Sequence, residues 1–211
     1  MARSIQPSFQ PRPKLLSSLN VSQHIFETSR LILRELNIQD ATEMFLLDSN
    51  PEVHRYLGNK PIKTIEESLK IIEFVQAQYK NYGIGRWAVI HKETNEFIGW
   101  SGIKYNPTTT NGVSNYYDLG YRFRQEFWGN GYALESAKAC LKFGFDILQL
   151  PALYAAAHQS NIASNKILNK IGFKNIGNFM YEHEPEIWYK IDNSELNLDN
   201  VPNKPVVGLR S

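Results

Sequence analysis

The stretch from Asp118 to Glu135, Asp-Leu-Gly-Tyr-Arg-Phe-Arg-Gln-Glu-Phe-Trp-Gly-Asn-Gly-Tyr-Ala-Leu-Glu, holds the residue types and spacing best suited to chemistry. A strand-like run, Asp118 to Phe123, leads into the glycine loop Gly129-Asn130-Gly131, and a helix-forming run begins at Tyr132. Strand, glycine loop, helix is an arrangement that binds phosphate. Glycine lets backbone N–H groups approach an anion closely, and the helix start adds unpaired donors and the positive end of its dipole. A diphosphate-bearing ligand is therefore the first expectation, held by backbone N–H groups from about Arg124 through Ala133.

Three phosphate-binding patterns compete for this loop. A dinucleotide fingerprint needs a third small residue where Leu134 stands, and an acidic residue on the following strand. A P-loop needs Gly-Lys-Ser/Thr, which the chain lacks. The third pattern, Gln/Arg-x-x-Gly-x-Gly/Ala, is the acyl-CoA loop of the GNAT N-acyltransferase superfamily, and the segment resembles it. Further segments resemble one branch, the ribosomal-protein N-terminal acetyltransferases. They are Glu27-Thr-Ser-Arg-Leu-Ile-Leu-Arg-Glu-Leu36, Asp40-Ala-Thr-Glu-Met-Phe, Asn50-Pro-Glu-Val-His-Arg-Tyr-Leu-Gly58 and Phe97-Ile-Gly-Trp-Ser-Gly-Ile103. Asn161-Ile-Ala-Ser164 and Asn169-Lys-Ile-Gly-Phe173 complete the series, which covers about residues 27–191 in order. One position departs from the pattern: Glu126 stands where it has Gln or Arg, and so brings a carboxylate near the phosphates unless it points away.

The resemblance implies an α/β (α+β) domain. Its mixed, mostly antiparallel sheet of six or seven strands has a splayed central parallel pair, Tyr116–Phe123 and Ala152–Ala157. It implies acetyl-CoA as acyl donor, with no metal, and an amine acceptor, either a protein N-terminus or a small molecule. The pantetheine arm would pair with backbone of Tyr121, Arg122 and Phe123, and the diphosphate would lie on Gly129, Asn130, Gly131, Tyr132 and Ala133. The Arg124 guanidinium either adds a charge-assisted phosphate contact or is solvated. Asn161 caps a helix and, by resemblance, touches pantetheine or acceptor. Ser164 either lies near the thioester sulfur or bonds its own backbone. Asp118, where relatives often carry glutamate, either takes the amine proton, directly or through water, or is a paired strand carboxylate. Glu135 is read as support for the helix start. The alternative to an enzyme is a CoA-binding sensor of the same fold that has lost catalysis.

Positioning these groups requires a set of elements that the patterning supplies. Leu31 to Leu36 reads as a first strand. Asp40 and Glu43 have capping-box spacing, and Thr64 and Glu67 repeat it ahead of a helix that stops near Gly83. Arg86 to His91 and Glu96 to Ile103 read as a hairpin turned at Glu93-Thr-Asn95. Tyr132 to Leu148 is the helix behind the loop. Leu153 to Ala157 is a strand of small residues, Ile162 to Ile171 a helix, and Phe173–Tyr181 with Glu186–Ile191 a last antiparallel pair.

A chain of 211 residues suffices for one domain with a sizeable core. Its 23 basic and 21 acidic residues give no large nucleic-acid-binding surface. No apolar run reaches bilayer length, so no membrane partner is expected. The single Cys140 leaves no internal disulfide, and its spacing with Ala133, Ala137 and Gly144 places it in the core. A cytoplasmic monomer or homodimer is expected. Residues 1–24 contain no Asp or Glu and read as a flexible arm, 25–192 as the domain, and 193–211 as a polar tail.

Overall fold

The computed structural model describes residues 26–195 and 206–207. In chain order the elements are β1 (Phe26–Glu27), β2 (Leu31–Glu35), α1 (Ala41–Asp48), α2 (Pro51–His54), α3 (Ile65–Tyr82), β3 (Arg86–His91), β4 (Phe97–Asn106) and β5 (Tyr116–Phe123). They continue with α4 (Tyr132–Lys142), β6 (Ala152–His158), α5 (Ile162–Lys170), β7 (Lys174–Tyr181), β8 (Glu184–Asp192) and β9 (Val206–Val207). One mixed sheet runs β7-β8-β6-β5-β4-β3-β2-β1-β9. Seven of these strands are the ones legible in the patterning. The other two are the two-residue pieces β1 and β9, which pair with each other through Phe26↔Val207 and Glu27↔Val206. The stretch expected to be only a polar tail thus contains a strand. The 1–24 arm lies outside the described residues.

Every adjacent pair is antiparallel except β5 with β6, which meet at a single position, Asp118↔Tyr154. The reason lies in their other edges. β5 follows β4 along its whole length, from Gly99↔Phe123 to Asn106↔Tyr116. β6 follows β8 from Ala152↔Asp192 to His158↔Glu186. Each strand is held by its antiparallel partner, so the two diverge after the bridge and leave a gap between Tyr121–Phe123 and Ala156–His158. The helix α4 is the crossover that a parallel pair requires.

Side-chain alternation sorts the chemistry onto two faces. Leu119 and Phe123 of β5, with Leu153, Ala155 and Ala157 of β6, pack into the core under α4 and α5, together with Cys140, Leu141, Leu168 and Phe173. Ala88, Ile90 and Trp100 lie on the opposite face with Met44 and Leu47 of α1 and Ile72 and Val75 of α3. Asp118, Gly120 and Arg122 share that second face.

Helix starts depart from the spacing in an instructive way. Asp40 makes no cap bond for α1. It is instead the third residue of a box begun by Asn37: Gln39 N–H donates to Asn37 Oδ1 at 3.0 Å and Asn37 N–H to Asp40 Oδ2 at 2.9 Å. Arg34 then takes both oxygens of Asp40. Likewise Thr64 makes no side-chain cap bond, and Glu67 accepts from Lys63 N–H. The expected helix 132–148 is α-helical only to Lys142 and continues as a π-turn, Phe143–Ile147.

Candidate active site

The loop before α4 is left-handed at both of its glycines. Gly129 and Gly131 have φ of +78° and +80°, a left-handed region that costs an L-residue about 1–2 kcal/mol. The first helical bond runs from Glu135 N–H to the Gly131 carbonyl at 3.0 Å, so the N–H groups of Gly129 to Leu134 precede the helical ladder. The loop is held from both sides. Trp128 Nε1–H donates to the Phe123 carbonyl at 2.8 Å, tying the loop to the end of β5. Asn130 Nδ2–H donates to the carbonyls of Phe127 and Trp128. Arg30, immediately before β2, donates to the Asn130 carbonyl at 3.0 Å and lies over the Tyr132 ring, which also meets His91.

Glu135 anchors this arrangement. It accepts from Thr28 Oγ1, Ser29 Oγ, Arg30 N–H and Arg30 Nε. Burial would raise its pKa, but the donors from Thr28, Arg30 and Ser29 outweigh that and hold it below the usual glutamate range. The β1–β2 corner is thereby stapled to the first turn of α4.

The edge of β5 beyond its bridge to β6 continues the site. Arg124 N–H bonds to the Ile98 carbonyl at 3.0 Å. Antiparallel alternation then turns the N–H groups of Gly120 and Arg122 toward β4, and those of Tyr121 and Phe123 into the gap. Across the gap, Asn161 caps α5 by accepting from Ser164 N–H at 3.1 Å. Ser164 Oγ does not turn back on its own helix. It shares a 3.0 Å hydrogen bond with the Tyr121 hydroxyl, which also donates to the Ser164 carbonyl at 3.3 Å. Burial, opposed by the Ser164 bond, pushes the Tyr121 phenol up to about 12.

The opposite face of the gap is rich in charge and aromatic surface. Asp118 is ion-paired with Arg86, the two side chains 16% and 12% exposed, and Arg86 also donates to the Gly102 and Asp118 carbonyls. Arg86 and Arg122 both lie over Trp100. Arg122 reaches Asp48 of α1 at 2.6 Å. Burial would raise the Asp48 pKa, yet His54 and Arg122 hold it below the carboxylate range. On the β6 and β8 side, His158 stacks on Tyr56 and pairs with Glu184 at 3.2 Å. Ala156 is exposed between buried Ala155 and Ala157. Glu186, opposite His158 in the ladder, is pushed to about 7 by burial and then by the neighbouring Glu184 carboxylate.

Gly129, Asn130, Gly131, Tyr132 and Ala133 therefore meet Tyr121, Phe123, Asn161 and Ser164 around one gap, with Asp118 on its far face. Arg122 and Arg124 are placed differently from the expectation. Their N–H groups point to β4, and their guanidiniums are engaged by Asp48 in one case and by Glu43 and Glu126 in the other. The Arg124 pair also answers the Glu126 departure, since the carboxylate lies 2.6 Å from a guanidinium. The Asp118 carboxylate is occupied by Arg86. Cys140 is fully buried, and burial pushes its thiol up to about 12. Nothing in the local sequence marks Arg30, Arg86, Glu186 or the Tyr121 hydroxyl. Arg30 and Glu135 are 105 positions apart, so no local spacing signals their contact.

The sheet is opened at the β5–β6 parallel pair, with two left-handed glycines and a helix start on one flank of the opening. Residues 30–174 match the acetyltransferase (GNAT) domain. The chain is 34% identical over 162 residues to the uncharacterized N-acetyltransferase YoaA of Bacillus subtilis, covering 75% of this chain and 89% of that protein. It is 26% identical over 186 residues to the FsC-acetyl coenzyme A-N(2)-transacetylase of Aspergillus fumigatus, covering 82% and 78%. Among solved structures, the GNAT-family acetyltransferase of Bacillus anthracis superposes with a TM-score of 0.67 at 25% identity, covering 81% of this chain and 99% of that one. The chain belongs to the GNAT acetyltransferase family and is an N-acetyltransferase.

Proposed function

We propose that the protein transfers an acetyl group from acetyl-CoA to a primary amine by direct attack of the amine on the thioester. The observation that supports it best is the gap itself. On one flank it has the left-handed glycines and free N–H groups ahead of α4, along its edge the unpaired N–H groups of Tyr121 and Phe123, and on the other flank Asn161 and Ser164. The diphosphate binds at Gly129 to Ala133. The pantetheine amides pair with the β5 edge as an added strand would. The Tyr121 N–H, first in the opened edge beyond the bridge region, stabilises the oxyanion as the carbonyl becomes tetrahedral. Ser164 donates a hydrogen bond to the leaving sulfur, and Asn161 orients that helix start.

The acceptor enters from the face bearing Asp118, Trp100, His158 and Glu186. An ammonium must lose a proton before attack. Glu186, with a pKa of about 7, is matched to that task at neutral pH. Asp118 is another carboxylate on this face. Its pairing with Arg86 favours a positioning role, and Asp118 as the base is retained as the second reading because it flanks the start of the gap. The acceptor itself is a protein N-terminus or a small amine.

Calorimetry with CoA, and thiol release from acetyl-CoA in the presence of an amine, test this for wild type and Ser164→Ala. The variant is expected to keep CoA affinity within about threefold and lose turnover on the order of 10²-fold. Tight CoA binding by a wild type that acetylates nothing would contradict the enzyme reading and favour a binding-only protein.

A further inference from the structure

Ser164 is the one hydroxyl that α5 presents to the gap beside its cap, and its partner is unusual for a helix serine. A serine in a first helical turn ordinarily bonds backbone of its own helix. Here Oγ is 3.0 Å from the hydroxyl of Tyr121, which comes from β5 on the other side of the gap. The Tyr121 oxygen is also 3.3 Å from the Ser164 carbonyl. Two hydroxyls can share these contacts in two proton arrangements. In the first, Tyr121 O–H donates to the Ser164 carbonyl and Ser164 O–H donates to the Tyr121 oxygen. In the second, Tyr121 O–H donates to Ser164 Oγ, and the Ser164 proton is released to another acceptor. Passing between them needs only rotation of two O–H bonds.

We infer that Tyr121 is a positioning residue whose hydroxyl turns the Ser164 O–H toward the sulfur of the bound thioester, so that the leaving thiolate is held by a serine with its own acceptor site already filled. This rests on the reading of the gap as an acetyl-CoA site. The amine lone pair forms the new C–N bond and the C–S bond breaks, its electron pair leaving on sulfur. The sulfur accepts a hydrogen bond from Ser164 O–H, which accepts one from Tyr121 O–H. The proton shed by nitrogen passes through the acceptor-side base to solvent, and solvent returns one to the thiolate. Both hydroxyls finish as they began. The raised phenol pKa keeps Tyr121 protonated throughout the working range, as a permanent donor requires.

A double-mutant cycle tests the coupling. Tyr121→Phe keeps the ring in its place and removes only the hydroxyl. It is expected to lower kcat about tenfold while KM for acetyl-CoA stays within about twofold. In a Ser164→Ala background the same change is expected to do nothing further, because Tyr121 acts through Ser164. An unchanged kcat in Tyr121→Phe, or effects that multiply in the double variant, would overturn the inference. A second readout does not depend on turnover: the thiol pKa of bound CoA, titrated by thiolate absorbance. It is expected below that of free CoA in wild type and raised in both Tyr121→Phe and Ser164→Ala. A Tyr121→Phe value equal to wild type overturns the inference. Wild type that binds CoA but acetylates no amine leaves this titration decisive, and wild type that binds no CoA removes both the site reading and the inference.

Discussion

Replacing Gly131 by valine separates the structural demand on the glycine loop from its demand as a ligand site. The backbone at Gly131 has φ of +80°, and a Cβ built there would stand 3.6 Å from Arg30 Nη2, an ordinary contact. At the Cβ position, then, nothing in the free protein blocks a side chain. The cost to folding is the left-handed conformation, about 1–2 kcal/mol for an L-residue and toward the upper end for a β-branched one. For a domain of this size that is a fall in Tm of roughly 4–8 °C. The cost to binding is larger. The valine carbons stand beside N–H groups that must reach phosphate oxygens at hydrogen-bond distance. Loss of two charge-assisted bonds, each about 1.5–3 kcal/mol, raises the Kd for CoA by two orders of magnitude or more, roughly. Gly129→Ala is a useful companion. Its φ is +78° and its Cβ meets no heavy atom within 4 Å, so the variant brings left-handed strain without a clash in the free protein. Scanning calorimetry gives the Tm, and titration calorimetry with CoA gives the Kd. A folded Gly131→Val with unchanged affinity would show that the diphosphate does not bind at this loop. A collapse in Tm far beyond 8 °C, roughly, would show that the glycine serves the fold instead.

Glu135→Gln removes the charge that holds Thr28, Ser29 and Arg30, and is expected to lower stability by about 1–2 kcal/mol at pH 7. The folded pKa of Glu135 is depressed, so its contribution is present above the unfolded glutamate value and is lost as pH falls through the folded one. Urea titrations of wild type and variant are expected to differ at pH 7 and to converge in strong acid. Glu186→Gln is expected to lower kcat on the order of 10²-fold and to abolish an acid limb in kcat/KM near pH 7, since the base works only when ionised. A limb that survives in the variant would move the base elsewhere. Asp118→Asn leaves Arg86 beside Gly120 without its carboxylate. Both side chains are largely buried, so stability is expected to fall by about 3 kcal/mol, with kcat per folded molecule reduced less than in Glu186→Gln. A larger kcat loss in Asp118→Asn than in Glu186→Gln would instead make Asp118 the base.

The parts of the site that are contiguous in the chain were legible there. The run from Tyr116 through the glycine loop into Tyr132 has a strand, two glycines and a helix in sequence, and local physics fixes its conformation. Asn161 capping α5 is similarly local, with its acceptor three residues from its donor. What escaped was set by strand pairing. Which of Tyr121, Arg122 and Phe123 turns its N–H into the gap depends on the β4 register, and that register also sends Arg122 to Asp48. The Arg86–Asp118 pair joins β3 to β5 across β4, so neither residue carries a local mark of the other. Glu186 is pushed up by burial and by Glu184, and burial is not visible in the spacing of charges. The box that begins at Asn37 rather than Asp40 is a smaller case. Both residues have capping chemistry, and the Arg34 ion pair with Asp40 selects the earlier start.

The most direct test of the central claim is acetyl-CoA turnover by the purified chain, read as free thiol against peptides with varied N-terminal residues, polyamines, amino acids and aminoglycosides. Saturable, amine-dependent release of CoA thiol is expected, with selective turnover of one acceptor class identifying the substrate. No thiol release with any amine, together with no CoA binding by calorimetry, would contradict it.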